Sequence, residues 1–123
     1  MAFNDIERKR CERDLEKFMA SHRPPPHIRP ELDLGYRITG HSVEIFEIRP
    51  AWRNPKETIE HPVAKATFVR TKNLWRIFWM RQDLKWHGYE PHPKARNLEA
   101  FLTVVGPMSI AASSDKLPMA YTP

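Results

Sequence analysis

The sequence predicts an α+β domain, with a four-stranded antiparallel sheet built from two hairpins, an N-terminal helix and a short C-terminal helix. Three observations predict it: an apolar stripe at helical spacing near the N-terminus, two pairs of alternating segments around short turns, and an apolar helix pattern near residue 100. Helices before and after an antiparallel sheet are typical of this class. The 123 residues fit one domain, which we place at 1–106, with 107–123 as a flexible tail.

The first helix is predicted to begin after Asn4, because Asn4 and Glu7 have the spacing of a capping box. Its apolar side chains recur every three or four positions and form one stripe, made of Cys11, Leu15, Phe18 and Met19. Pro24-Pro25-Pro26 ends the helix near His22, because proline lacks the backbone donor. Residues 23–30 are then expected to form a stiff, extended connector.

The first hairpin is predicted from the alternating segments 32–39 and 43–48. Gly40 suits the first central position of a type II′ turn, where φ is positive. This turn sets Ile38 opposite Val43 and lays the ring of Phe46 over Gly35. Both are favourable cross-strand neighbours, so the register explains the choice of residues.

Residues 50–62 contain three prolines and predict a long surface loop. The second hairpin joins 63–70 to 74–81, with Phe68, Trp75, Ile77 and Trp79 on one face and Val69, Phe78 and Met80 on the other. Because both faces are partly apolar, we expect it to lie centrally or between helices. The last helix follows its cap Asn97 and is predicted to stop at Gly106-Pro107.

The net charge of +5 lies within residues 23–106, which hold fourteen bases and nine acids. This charge attracts polyanions such as nucleic acid or an acidic protein. The single cysteine, Cys11, excludes a disulfide framework and a multi-cysteine zinc site. No signal-peptide pattern and no apolar run of about 20 residues is found. We therefore expect a cytoplasmic protein that has no membrane partner, cofactor or metal.

Bases and aromatic residues alternate in the segments 49–56 and 70–76. Arg and Lys neutralise phosphates, and exposed rings stack on bases. Each tryptophan alone also fits a packing role under arginine stems. The leading prediction is a non-enzymatic module that binds nucleic acid or another polyanion. The candidate binding residues are Arg49, Trp52, Arg53, Lys56, Arg70, Lys72 and Arg76.

A second hypothesis is a small nuclease-like or toxin-like enzyme. Its candidate acid, base or ligand groups follow the last predicted strand and are Asp83, His87, Glu90 and His92. A polar turn with solvated charges is the simpler interpretation, since the two histidines match no metal motif. Asp33 with Glu47 and Arg49 loosely resembles a metal-nuclease set, but arginine cannot act as a base. The hairpin register also puts the two acids on opposite faces.

A third hypothesis is a protein-interaction module. Trp52 and the exposed edge of the sheet would form the docking surface. Such an edge also makes a homodimer plausible.

Two long literal motifs are the segments HPVAKA at 61–66 and WMRQDLKWHGYEP at 79–91, which contains DLKWHGYEP. With the opening helix, Pro24–Pro26 and FEIRP at 46–50, they resemble a family of short bacterial proteins classed as a domain of unknown function. The resemblance covers roughly residues 1–105, and residues 106–123 depart from it. It implies a bacterial origin and supplies no activity.

Overall fold

The computed structural model describes residues 3–54 and 56–108, which form two helices and one antiparallel sheet of six strands. The elements in order are α1 (Asp5–His22), β1 (Asp33–Thr39), β2 (Ser42–Pro50), β3 (Thr58–Val69), β4 (Leu74–Met80), β5 (Trp86–Gly88), β6 (Lys94–Ala95) and α2 (Leu98–Met108). The strands β1 to β4 are neighbours in sequence order, and β5 and β6 both pair with the outer edge of β4. The α+β class is confirmed, but the sheet has six strands and not four.

Helix α1 begins as its sequence predicts. Asn4 Oδ1 accepts a hydrogen bond from the Glu7 N–H at 2.8 Å, and Glu7 Oε1 accepts one from the Asn4 N–H at 3.0 Å. These two bonds form the predicted capping box. The stripe is also confirmed, since its members are the buried residues of the helix, Cys11, Leu15, Phe18 and Met19.

The segment after α1 folds into turns, so the prediction of an extended connector is wrong. The Ile28 N–H donates to the Pro25 carbonyl at 2.9 Å, and the Leu32 N–H donates to the Ile28 carbonyl at 3.0 Å. These turns bring Ile28 into the core with 2% exposure. Burial of an Ile side chain contributes about 1.5–3 kcal/mol, which favours the turns over an extended chain.

The first hairpin has the predicted register. Ile38 lies opposite Val43, and Gly35 lies opposite Phe46. Gly40 has a φ of 60°, as the first position of a type II′ turn requires. A Cβ atom on Gly35 would lie 2.7 Å from the Phe46 ring, so the ring needs the glycine beneath it.

The predicted long loop at 50–62 is wrong in extent. Strand β2 runs to Pro50 and β3 begins at Thr58, which leaves a loop of residues 51–57, here termed the Trp52 loop. The β2–β3 register shifts between Ile45 and Phe46, which leaves Val63 as the extra residue of a bulge beside Pro62. Prolines are tolerated at bulges, so Pro62 does not end the strand.

Both helices pack on one face of the sheet. The register aligns Val43, Ala66 and Ile77 on that face, and all three are buried in one core cluster with residues of α1 and α2. The other face, here termed the open face, carries Lys65, Phe78 and their neighbours. The second hairpin is therefore central, but helices do not cover both of its sides. No helix in the described residues is long and apolar enough to span a membrane.

Helix α2 ends later than predicted. Asn97 Oδ1 accepts a hydrogen bond from the Ala100 N–H at 2.8 Å, which confirms the cap. The helix runs through Gly106 and ends at Met108. Residues 109–123 of the predicted tail lie outside the described residues.

A bidentate ion pair joins the end of α1 to β1. Arg23 Nε and Nη2 each donate to an Asp33 carboxylate oxygen at 2.7 Å. Asp33 Oδ1 also accepts a bond from the Leu34 N–H at 2.8 Å. The hydrogen bonds from Arg23 are the main reason that the pKa of Asp33 lies below its ordinary value.

We expect Asp33→Asn to lower the free energy of unfolding at pH 7 by about 1 kcal/mol, because solvent screens the half-exposed Arg23. The ionised pair contributes fully above the ordinary carboxyl pKa of about 3.9. Its contribution is lost as the pH falls through the lowered folded-state pKa. Urea denaturation of both proteins between pH 7 and pH 2 measures this, and a stability difference that stays constant down to pH 2 would contradict it.

Candidate nucleic-acid interface

The predicted binding residues lie in two groups at opposite ends of the sheet. One group belongs to the Trp52 loop end and consists of Arg49, Trp52, Arg53 and Lys56. The other lies in or beside the β3–β4 turn, residues 70–73, and consists of Arg70, Lys72 and Arg76. Strand β3 runs between the groups, and its length corresponds to about 35 Å. The structure therefore does not bring the seven residues into one patch.

The Trp52 loop exposes an aromatic ring and two cations. Trp52 is 84% exposed, and the Arg53 guanidinium lies 5.1 Å from the centre of its ring. Lys56 is also exposed. Arg49 is engaged instead, because its Nη2 donates to the buried Glu47 carboxylate at 2.8 Å. This end thus offers fewer available charges than the sequence indicates.

Arg70 in the β3–β4 turn is held by a carboxylate of α1. Its Nη1 and Nη2 donate to the two Glu7 carboxylate oxygens at 2.8 and 2.9 Å. These bonds are the main reason that the pKa of Glu7 is lowered. Arg70 therefore ties the turn to α1, and its charge is largely compensated. Lys72, in the same turn, is exposed.

Two cationic side chains are direct cross-strand neighbours on the open face. Arg76 of β4 lies directly opposite Lys94 of β6, and both are exposed. Neither takes part in any ion pair of the described residues. Like charges directly across a sheet repel each other. An anion bound between them would relieve that repulsion.

A lysine and two aromatic rings continue this surface. Lys65 Nζ lies 5.3 Å from the centre of the Phe78 ring and 4.9 Å from that of Trp86. Lys65 is opposite Phe78, and Phe78 is opposite Gly88, which has no side chain to cover the ring. Both rings are half-buried. The five residues Lys65, Arg76, Phe78, Trp86 and Lys94 are here termed the open-face cluster.

The remaining part of the open face carries balanced charge. Arg37 donates to Glu60 at 2.6 Å and to Glu44 at 3.4 Å, and its guanidinium lies 4.9 Å from the Phe46 ring. One cation is thus flanked by two carboxylates. Glu44 also lies opposite Lys65 of β3. Among the described residues, the uncompensated positive charge of this face is therefore concentrated on β4 and β6.

Sequence reasoning identifies Arg76 but misses the other four members of the open-face cluster. The predicted faces of the second hairpin are confirmed, and their alternation already puts Lys65 on the face of Val69 and Phe78. The structure sets Lys65 opposite Phe78. That alternation is the available signal for these two residues. Strands β5 and β6 have only three and two residues, which is too short for a periodic signal. Trp86 and Lys94 can therefore be placed only by the tertiary structure.

The four candidate catalytic residues are only partly brought together. His87 Nε2 lies 2.8 Å from Asp83 Oδ2, and this contact is the main reason that the pKa of Asp83 is lowered. Both side chains are substantially exposed. Glu90 and His92 lie in the exposed turn between β5 and β6, and the His92 ring stacks on Tyr89 with ring centres 6.4 Å apart. The result is a solvent-facing Asp–His pair.

The nuclease-like set is not assembled either. Asp33 lies opposite Ile48, so Asp33 and Glu47 point to opposite faces, as the predicted register requires. Within the part of the chain that the structure describes, no three His, Cys, Asp or Glu side chains are grouped to hold a metal ion.

The fold and the open-face cluster define a small α+β protein with two helices on one sheet face and a basic, aromatic surface on the other. Residues 3–108 match a family model described as Domain of unknown function (DUF3024), and the chain belongs to that family. No curated protein matches the chain. No solved structure matches it.

Proposed function

We propose that this protein binds single-stranded nucleic acid on the open face. The observation that supports the proposal best is the open-face cluster, which places uncompensated cations beside two half-exposed rings. An open sheet face with aromatic rings offers a stacking surface to unpaired bases. The bases of a duplex are already stacked and cannot reach it.

Charge favours phosphate contacts at Arg76 and Lys94. They lie opposite each other without a carboxylate partner among the described residues, so a bound phosphate would lower their mutual repulsion. Lys72 extends the basic surface toward the β3–β4 turn. The Trp52 loop lies about 30 Å from Arg76, because Arg76 is opposite Thr67 and β3 begins nine residues earlier at Thr58. This distance is several times the Debye length of about 8 Å at physiological salt. For a short nucleic-acid strand, the Trp52 loop is therefore a separate site from the open-face cluster.

Fluorescence anisotropy with labelled single strands and duplexes, at low and physiological salt, tests this proposal. We expect the single strand to bind more tightly than the duplex. The double variant R76Q/K94Q should lower the salt slope by about 1.4, at about 0.7 for each phosphate that is no longer neutralised. The matched control is K9Q/R13Q, which removes the same charge from exposed positions on α1 that form no ion pair with any described residue. It should leave the slope unchanged.

Other results would favour the other hypotheses. Absence of binding at low salt, or equally weakened binding in both double variants, would contradict a binding site on the open face. Cleavage of labelled RNA that disappears in H87A would favour the small enzyme that uses the Asp83–His92 segment. A dimer that dissociates in W52A would favour the interaction module.

A further inference from the structure

A cleft of about 280 Å³ lies on the helix-covered side of the sheet. It is bounded by the first half of α1, the β3–β4 turn and the start of α2. Helix α1 contributes positions three or four apart, which share one helix face and are Glu7, Arg10, Cys11 and Asp14. This volume is slightly below the 300–1,000 Å³ or so of pockets for drug-sized ligands. A small metabolite would fit it.

One wall of the cleft is aromatic. The ring of Phe3 lies 5.6 Å from that of Trp75 and 6.4 Å from that of Phe68, and the rings of Phe68 and Trp75 are 5.2 Å apart. Leu98, at the start of α2, also lines the cleft. This wall suits an apolar or aromatic side group.

The polar lining carries unpaired charges of both signs. Glu7 is compensated, because it accepts both hydrogen bonds from Arg70. Arg10, Asp14 and Arg96 also line the cleft, and no ion pair or hydrogen bond between described side chains involves them. Two guanidinium groups and one carboxylate therefore remain available to a ligand.

We propose that the cleft binds a free amino acid with an apolar side chain. The ligand carboxylate would face Arg10 and Arg96, its ammonium would face Asp14, and its side chain would lie on the aromatic wall. A ligand that is only anionic would be repelled by Asp14, and one that is only cationic by the two arginines. A zwitterion satisfies both signs. Because the cleft lies behind the sheet, this inference does not depend on nucleic-acid binding.

The cysteine at this site does not suggest covalent chemistry. Burial raises the pKa of the Cys11 thiol to about 11, with the nearby acids Asp14 and Glu7 adding to the effect. The thiol is therefore protonated at neutral pH and is a poor nucleophile. Reversible binding is the function that the cleft supports.

An NMR titration of the full chain with L-phenylalanine tests the proposal. Backbone amide signals of Cys11, Asn73 and Leu98 should shift, and those of the open face should not. N-acetylphenylalanine lacks the ammonium and phenylalanine amide lacks the carboxylate. Each should bind at least tenfold more weakly, which corresponds to about 1.4 kcal/mol. Equal binding of all three compounds, or no shifts at millimolar L-phenylalanine, would overturn the proposal.

Matched variants assign each ligand group to its partner. D14N should weaken phenylalanine at least tenfold but should not weaken N-acetylphenylalanine, because that analogue has no ammonium for Asp14 to bind and its carboxylate is no longer repelled. R10Q/R96Q should weaken phenylalanine but not its amide. K9Q/R13Q removes the same charge from the exposed side of α1 and should change nothing. Thermal melting verifies that each variant is folded, and equal weakening for every compound would overturn the assignment.

Discussion

Replacing Phe101 with alanine is expected to lower the free energy of unfolding by about 3–5 kcal/mol, the range for truncating a buried phenylalanine. Phe101 has 0% exposure, and its helix contacts α1, β3, β4 and β6. Alanine would leave a cavity where these elements meet, and surrounding side chains would refill it only in part. Domains of this size are stable by about 5–15 kcal/mol. F101A should therefore be close to unfolding at room temperature.

Urea denaturation followed by circular dichroism measures the change, with Thr103→Ala as the control on the same helix. Thr103 is exposed, and its hydroxyl donates to the Glu99 carbonyl in the same helix at 3.1 Å, which is its one side-chain hydrogen bond to a described residue. T103A should shift stability by less than about 0.5 kcal/mol. F101L should retain most of the stability that F101A loses. A decrease below about 1 kcal/mol for F101A would contradict the packing of α2 against the sheet.

The correctly predicted parts of the fold depend on residues close in sequence. The capping box at Asn4 involves a residue three positions away. The first hairpin register follows from the turn at Gly40, and the contact of Gly35 with Phe46 follows from that register. Such features are decided by backbone geometry and turn type, which act over a few residues.

The errors arise where tertiary packing decides the outcome. Pro62 is typical of a loop, yet a bulge accommodates it within β3. The short strands β5 and β6 form only because β4 offers an unpaired edge, and their own residues give no strand pattern. Burial of Ile28 bends a proline-rich segment that would otherwise be extended. None of these causes can be deduced from neighbouring residues.

The candidate site likewise combines features that the sequence predicts with features that only the tertiary structure decides. The sequence shows where the cationic segments lie, but it does not show which carboxylates neutralise their charges. Arg70 meets Glu7 across 63 positions of the chain, and Arg37 meets Glu60 across 23. A count of basic residues therefore overstates the available charge. Arg76 and Lys94 form no ion pair with a carboxylate among the described residues, and our proposal assigns polyanion binding to such charges.

Removing either ring of the open-face cluster should weaken single-strand binding about 5- to 150-fold, because stacking of a base on an aromatic ring contributes about 1–3 kcal/mol. F78A and W86A should act on affinity without changing its salt dependence, because stacking releases no counterions. R76Q/K94Q should instead reduce the salt slope. Anisotropy titrations at three or more salt concentrations separate the two effects.

The control for the ring variants is Trp79→Ala, on the opposite face of the same strand. Trp79 is partly exposed and contacts Tyr89 with ring centres 6.0 Å apart, so its truncation tests general damage to β4. W86F should keep most of the affinity, since phenylalanine still offers a ring. If W79A weakened binding as much as W86A, the weakening would come from a disturbed sheet. If W52A alone abolished binding, the Trp52 loop would be the interface and the open face would not.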